Sequence, residues 1–234
     1  MATIQKVTCI DDNIKINRVL VSCTNKIGLT SNAGISIDGY PENGIIGELS
    51  KINPDILFIS TGNTFQVLKK AGFNVIELSE YTGYPEMKTG LVKSLHPKIH
   101  AGILGHVYTD DDREFMQEHE IYPIDLVIIN FYDLQKEIDN NTDIESKRQA
   151  IDVGGPTLCH AARKSFIHTA LLTSNQEYMA FMNHVRTNHG SISLKYRLEL
   201  AKKASALYTE LMLSVNNIVQ NISYEELENT YKIL

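Results

Sequence analysis

The stretch Asp55–Ala71, DILFISTGNTFQVLKKA, carries the pattern that decides the fold. Its first half, Asp55–Ile59, is a short apolar run of the length of a buried strand. A glycine turn flanked by hydroxyl residues, STGNT, follows at once. Phe65–Ala71 then has the apolar spacing of an amphipathic helix. Strand, tight turn and helix start, in that order, put backbone N–H groups and a helix dipole at the carboxyl end of a strand, where an anion binds. STGNT is neither a P-loop nor a dinucleotide fingerprint, and a strand–helix turn with a plain Ser or Thr cap has the same letters.

The pattern recurs outward from this unit. Arg18–Cys23 (RVLVSC) is a buried strand ending in the polar string SCTNKIG, and Ile124–Ile129 (IDLVII) is the most hydrophobic strand, ending in Asn130, Phe131, Tyr132 and Asp133. Val75–Leu78 and Thr169–Thr173 complete five strands. Helical segments are expected at Ile45–Ile52, Asp111–Glu120, Thr142–Ala150 and Pro156–Ser165, and for nearly all the chain from Gln176 onward. Pro156 suits a first helical position, and Gly154 and Gly155 just before it permit close approach. His160 and Lys164, four apart, share one stripe of that helix. Strands alternating with helices give an α/β chain whose mostly parallel sheet is flanked by helices, with further helices at the carboxyl end. In such a sheet the polar clusters after Val21, Ile59 and Ile129 share one rim, where ligands collect. Residues 1–17 form a lead-in, with a short strand expected around Lys6–Ile10. Thr30–Asn43 is a loop rich in Gly, Ser, Asn and Asp.

Tyr81–Gly105, YTGYPEMKTGLVKSLHPKIHAGILG, has too many glycines and prolines for a plain helix or strand. Lys93, Ser94, His96, Lys98 and His100 give it positive charge, donors and two imidazoles. A loop this dense in polar groups is expected to hold a ligand rather than merely connect elements. His96 and His100 have HxxxH spacing, but Pro97 and the missing acidic partner argue against a helical zinc site, so His96 is expected to position the loop.

The whole chain bounds the function. It has 234 residues, 43% hydrophobic and 21% charged, enough for one sizeable core. Its formal charge of −6 argues against broad nucleic-acid binding. No apolar run is long enough to span a bilayer and no secretory pattern opens the chain, so a cytoplasmic setting is expected. Cys9, Cys23 and Cys159 are odd in number and far apart, unlike a disulfide framework or a zinc knuckle.

The segments SCTNKIG, STGNT, YTGYPEMKTGLVKSLHPKIHAGIL, IDLVIINFY and IDVGGPTLCHAARK together resemble the inosine monophosphate (IMP) cyclohydrolase domain of the bifunctional purine biosynthesis enzyme. The resemblance extends over about Arg18–Asn221, giving expected parts 1–17, 18–221 and 222–234. It implies a methylglyoxal-synthase-like three-layer sandwich. The implied reaction closes a purine ring: a carboxamide nitrogen attacks a neighbouring formyl carbon and water leaves. No redox step occurs, so no cofactor is implied, nor a metal. By position, the resemblance puts Ser22, Thr24, Lys26, Ser60, Gly62 and Thr64 around the substrate phosphate. It places Ser94, His96, Asn130, Val153, Gly154 and Gly155 elsewhere around the ligand. Lys93 and Tyr132 take oxyanion and proton handling, and Asp152 and Lys164 form an ion-coupled pair that orients the amide and shuttles its proton.

Departures from the family pattern are Leu91 for an arginine, Asn63 for a glycine, NFYDL with Asp133 for NLYPF, Ser165-Phe166 after Lys164, and the Thr30–Asn43 insertion. The formyl-transferring domain is not expected here, and apolar surface left without it points to a homodimer. The residues alone leave simpler readings open: Asp152 as a helix cap, Lys164 as a surface lysine, Tyr132 as a core-edge aromatic. Two other functions stay open, a non-catalytic purine-nucleotide binder and a phosphate-eliminating lyase on the same fold, the latter with Asp133 as its carboxylate.

Overall fold

The computed structural model describes residues 6–31, 38–132, 134 and 143–234. The chain opens with β1 (Asn13–Lys15) and β2 (Arg18–Cys23), then α1 (Gly44–Ile52), β3 (Leu57–Ser60), α2 (Gly62–Lys70), β4 (Val75–Glu77) and α3 (Leu78–Thr82). After a long loop come α4 (Pro97–Leu104), α5 (Asp110–Glu118), β5 (Leu126–Asn130), α6 (Ile144–Gln149), α7 (Gly154–Lys164) and β6 (Ala170–Leu172). A 3₁₀ turn (Asn175–Glu177), α8 (Tyr178–Thr187), β7 (Ser191–Ser193), α9 (Leu194–Gln220) and α10 (Tyr224–Thr230) complete it. Among the described residues no helix is long and apolar enough to cross a membrane.

Five strands form one sheet in the order β4-β3-β2-β5-β6, every neighbouring pair parallel. β2 lies at its centre, with Val21 opposite Ser60 on one side and Ile128 on the other. Because successive side chains point to opposite faces, each strand feeds two cores. Val19, Val21, Phe58, Leu126 and Ile128 pack with Ile45, Ile46 and Leu49 of α1 and with Tyr178, Phe181 and Val185 of α8. Leu20, Ile59, Val127 and Ile129 face the other way, onto Tyr81, Ile99, Ile103, Leu158, Ala162 and Ala204. The result is helix, sheet, helix.

Three details differ from the sequence reading. The early strand lies at Asn13–Lys15 rather than around Lys6–Ile10, and it pairs antiparallel with β7, inside the stretch read as helical. Three-residue strands are too short to show a period, so tertiary pairing rather than local pattern sets them. The loop Tyr81–Gly105 ends in a true helix, α4, with Pro97 in its first turn and His96 as its cap. The loop Thr30–Asn43 and the helix expected from Thr142 lie partly outside the described residues.

Arg197 of α9 is wholly buried and holds the small β1–β7 pair to the main body. Its guanidinium donates to the carbonyls of Phe166, Asp12, Ile192, Asp11 and Ile167 at 2.6–3.0 Å. Five carbonyl dipoles replace the water that this charge gives up.

At the opposite end of the sheet from the polar rim, Asp125 ties β5 to β2. One carboxylate oxygen accepts the backbone N–H groups of Asn17 and Arg18 at 2.8 and 2.9 Å. Burial nonetheless pushes its pKa up to about 6. An unfolded aspartate releases its proton near pH 4. Between these values the folded chain binds more protons, so stability is expected to fall as the pH rises from about 4 to about 6, by roughly 3 kcal/mol. Urea titrations across that range check it: Asp125→Asn should remove this part of the slope, and an unchanged slope would count against the assignment.

Candidate active site at the carboxyl rim of the sheet

Parallel pairing brings the carboxyl ends of β2, β3 and β5 side by side, and the loops that follow them enclose a cleft of about 420 Å³. Five segments remote in sequence line it: Ser22 and Thr24; Thr61; Gly90–Leu95; Tyr132; and Gln149 with Ile151–Gly155. Nine of the expected site residues meet here: Ser22, Thr24, Lys93, Ser94, Tyr132, Asp152, Val153, Gly154 and Gly155. Thr61 replaces the neighbours expected from the sequence.

Each wall has a physical cause. α2 begins at Gly62, whose φ of +57° is easy for glycine and strained for other residues. A Cβ there would stand 3.4 Å from Lys93 Nζ, so the lysine ammonium lies against the first turn of this helix. Lys93 follows Val92, a β-branched residue at a φ of 56°, which strains the backbone at the cleft wall. The Lys93–Ser94 turn is held from behind by His100 of α4, which hydrogen-bonds to the Ser94 main chain; burial pushes that imidazole's pKa down. Across the cleft α7 starts at Gly154. Ser94 Oγ lies 2.9 Å from where a Gly154 Cβ would be, so glycine is required for the two loops to approach.

Both oxygens of Asp152 accept backbone N–H groups at the start of α7, from Gly154 at 3.0 Å and Gly155 at 3.1 Å. The carboxylate therefore caps α7 while lining the cleft. Lys164, expected to pair with it, does not reach the site. It is exposed in the last turn of the same helix. Ten residues of helix at ~1.5 Å each separate it from Gly154 by roughly 15 Å. The Asp152–Lys164 ion pair is not formed within the chain.

Four further expected ligands serve as scaffold. Ser60, 1% exposed, donates to the Val21 carbonyl at 2.8 Å. Thr64 donates to the Cys23 carbonyl at 3.0 Å and is buried. Lys26 folds back onto the carbonyls of Cys23 and Thr24 at 3.2 and 3.3 Å. Asn130 clamps Asn25 by a two-way pair, accepting from its N–H at 2.9 Å and donating to its carbonyl at 2.7 Å. These groups fasten the end of β2 to α2 and β5 instead of facing the cleft. His96 caps α4, its Nδ1 accepting from Lys98 N–H at 3.1 Å, and borders an adjoining hollow of about 310 Å³. Asp133 lies outside the described residues.

The carboxylate that does stand by the α2 turn is Glu86. It accepts from Thr61 Oγ1 at 2.6 Å and pairs with Lys93 Nζ at 2.9 Å. Neither Thr61 nor Glu86 emerged from the sequence as a site residue. Thr61 had the one available signal, its place between Ser60 and Gly62 in the turn. Cys23 is no nucleophile, since burial pushes its thiol up to about 11. Among the described residues no cluster of His, Cys, Asp or Glu is arranged to hold a metal ion.

Comparison with known proteins fits this geometry. Residues 45–157 match the family model for the MGS-like domain. The bifunctional purine biosynthesis protein PurH of Rippkaea orientalis is 38% identical over 172 residues, covering 73% of this chain and 33% of that protein. PurH of Neisseria meningitidis is 36% identical over 219 residues, covering 93% of this chain and 39% of that protein. The chain thus spans between a third and two-fifths of the length of these relatives. Among solved structures, the crystal structure of ForH superposes with a TM-score of 0.70 at 26% identity, covering 87% of this chain and 99% of ForH.

If Asp152 is the cap of α7, Asp152→Ala should cost about 1 kcal/mol in urea unfolding, and Asp152→Asn less than half of that. Equal losses for both variants would mean that the carboxylate acts otherwise than as a cap.

Proposed function

Because this chain holds an MGS-like domain and is homologous to the bifunctional purine biosynthesis protein PurH, we propose that it is an IMP cyclohydrolase. It would close the ring of 5-formamidoimidazole-4-carboxamide ribotide (FAICAR) to IMP with loss of water. The observation that carries this reading is the single cleft in which Ser22, Thr24, Lys93, Ser94, Tyr132 and the Asp152–Gly155 turn meet.

The chemistry has three needs. A carboxamide nitrogen is a poor nucleophile, so its proton must be taken or shared as it attacks. The formyl oxygen gains charge and must be stabilised, and the two groups must be held within attack distance. The ribotide phosphate is assigned to Ser22, Thr24, Thr61 and the first-turn N–H groups of α2, where the helix dipole favours an anion. The base then extends toward Lys93 and Tyr132. Lys93 supplies the ammonium for the developing oxyanion, and Tyr132 a phenol for proton handling. Ser94 and the α7 turn set by Asp152 form the facing wall. None of these steps draws on a cofactor, and the setting proposed is cytoplasmic.

Lys164 in solvent favours a second reading, a purine-nucleotide binder that lacks turnover. Purified chain mixed with FAICAR and followed by ultraviolet absorbance separates the two. Turnover supports the cyclohydrolase, whereas IMP binding without turnover supports the binder. In an active enzyme, Lys93→Met should lower kcat by roughly 10²–10³, the usual cost of one oxyanion donor. Undiminished turnover in that variant would remove Lys93 from the mechanism.

A homodimer belongs to the same proposal, with Leu213 and Val219 of α9 exposed as candidate contacts. Sedimentation should give twice the mass of one chain, and a single-chain mass at every concentration would remove the dimer.

A further inference from the structure

The contact made by Glu86 is not part of the ring-closing chemistry assigned above. The segment Tyr84–Thr89 runs over the surface without helix or strand, each of its residues exposed overall. It is bounded by Gly83 at φ +70° and Gly90 at φ +75°, two positions at which the chain turns easily only as glycine. Gly83 has nothing within 4 Å of a would-be Cβ, so its glycine serves conformation rather than space. From the middle of this strap one side chain turns inward. Glu86 accepts the Thr61 hydroxyl at 2.6 Å and meets Lys93 Nζ at 2.9 Å, and its side chain is 26% exposed. The same ammonium lies against Gly62 in the first turn of α2. The Thr61 hydroxyl and, against the opposing effect of burial, the Lys93 ammonium hold the Glu86 carboxyl below the usual carboxylate range.

A carboxylate with one hydroxyl donor, one ammonium and a helix start beside it occupies the place of a bound anion. We infer that Glu86 is a built-in competitor, a latch that fastens the 84–89 strap across the anion seat and must be displaced when a phosphate monoester enters. The inference rests on the proposed placement of the ligand phosphate at the α2 turn, though not on turnover. The incoming phosphate takes over the Thr61 hydroxyl and the first turn of α2, Lys93 is freed toward the base end of the ligand, Glu86 is released into water, and the strap swings on its two glycines. The exchange trades one anion for another, so the latch lowers phosphate affinity without altering the groups that hold the phosphate.

Two measurements test it, both on the full chain. Calorimetric titration with inorganic phosphate and with ribose 5-phosphate should give roughly fivefold tighter binding for Glu86→Gln than for the wild type. Its unfolding midpoint should be little changed, since this contact is at the surface. Trypsin cleavage after Lys88, inside the strap, should be faster for wild type saturated with phosphate than for the phosphate-free chain. In Glu86→Gln it should be fast with or without phosphate. Equal or weaker phosphate binding by Glu86→Gln, no phosphate binding by either protein, or protection of Lys88 by phosphate would each overturn the latch. Tighter binding by the variant in a chain that fails to convert FAICAR would leave the latch standing and remove the cyclohydrolase. Turnover with unchanged phosphate affinity would do the reverse.

Discussion

The parallel register of β2 between β3 and β5 is the constraint on which the rest depends. Val21 stands opposite both Ser60 and Ile128, so β2 and β5 finish together at Cys23 and Asn130, β3 finishes two residues earlier, and the three following loops leave from one rim. A slip of one residue would turn Val19 and Val21 from one core to the other and carry Ser22 and Thr24 out of the rim. The pairing is fixed from both ends. Asp125 joins the starts of β2 and β5, whereas Thr64, Ser60 and the Asn25–Asn130 clamp join the finishes. Polar groups that look like ligands in the sequence therefore specify the geometry in which other groups become ligands.

Glycine sets the remaining distances. At Gly102 of α4 a Cβ would lie 2.5 Å from the Tyr122 carbonyl, and the Gly102 carbonyl accepts the Ile124 N–H at 2.8 Å. That approach seats α4 beside the entry to β5. His100 and the cap residue His96 are thereby placed behind the loop that carries Lys93. Gly154 does the equivalent for α7 against Ser94. The two walls of the cleft owe their separation to missing side chains more than to any attraction between them.

What the sequence made legible follows from what local pattern encodes. Apolar runs announced the five parallel strands, and the alternation with helices announced the α/β class and the shared rim. Pro156 and the paired glycines located the start of α7. Spacing also placed His160 and Lys164 on one stripe, and both are exposed there. The resemblance drew Lys164 into the site, but a continuous helix beginning at Gly154 has to carry its eleventh residue away from its first turn. The resemblance places Ser60 and Thr64 around the phosphate, but a hydroxyl near a helix start has two uses, and burial decides between them. Glu86 gave no signal, since a glutamate in a polar loop is ordinarily solvated and its partner Thr61 lies 25 residues away. Pro97 held the helix-start signal seen at Pro156, yet the surrounding glycines hid it. β1 and β7 have meaning in each other's presence alone.

The electrostatics of the cleft follow from an acidic chain having to receive an anion. With a formal charge of −6, the protein offers no broad positive field, so attraction has to be local. It comes from Lys93 and from the first turns of α2 and α7. Donors of that kind are costly to leave without partners in a narrow cleft. Here each set already has an internal acceptor: Asp152 takes the Gly154 and Gly155 N–H groups, and Glu86 takes the Thr61 hydroxyl and the Lys93 ammonium. The two acceptors differ in how they are attached. Asp152 is two and three residues from the donors it satisfies and is fixed by the helix it caps. Glu86 hangs from a strap with a glycine at each end. A ligand anion can replace the second far more cheaply than the first, which makes the α2 side of the cleft the exchangeable seat and the α7 side a fixed wall.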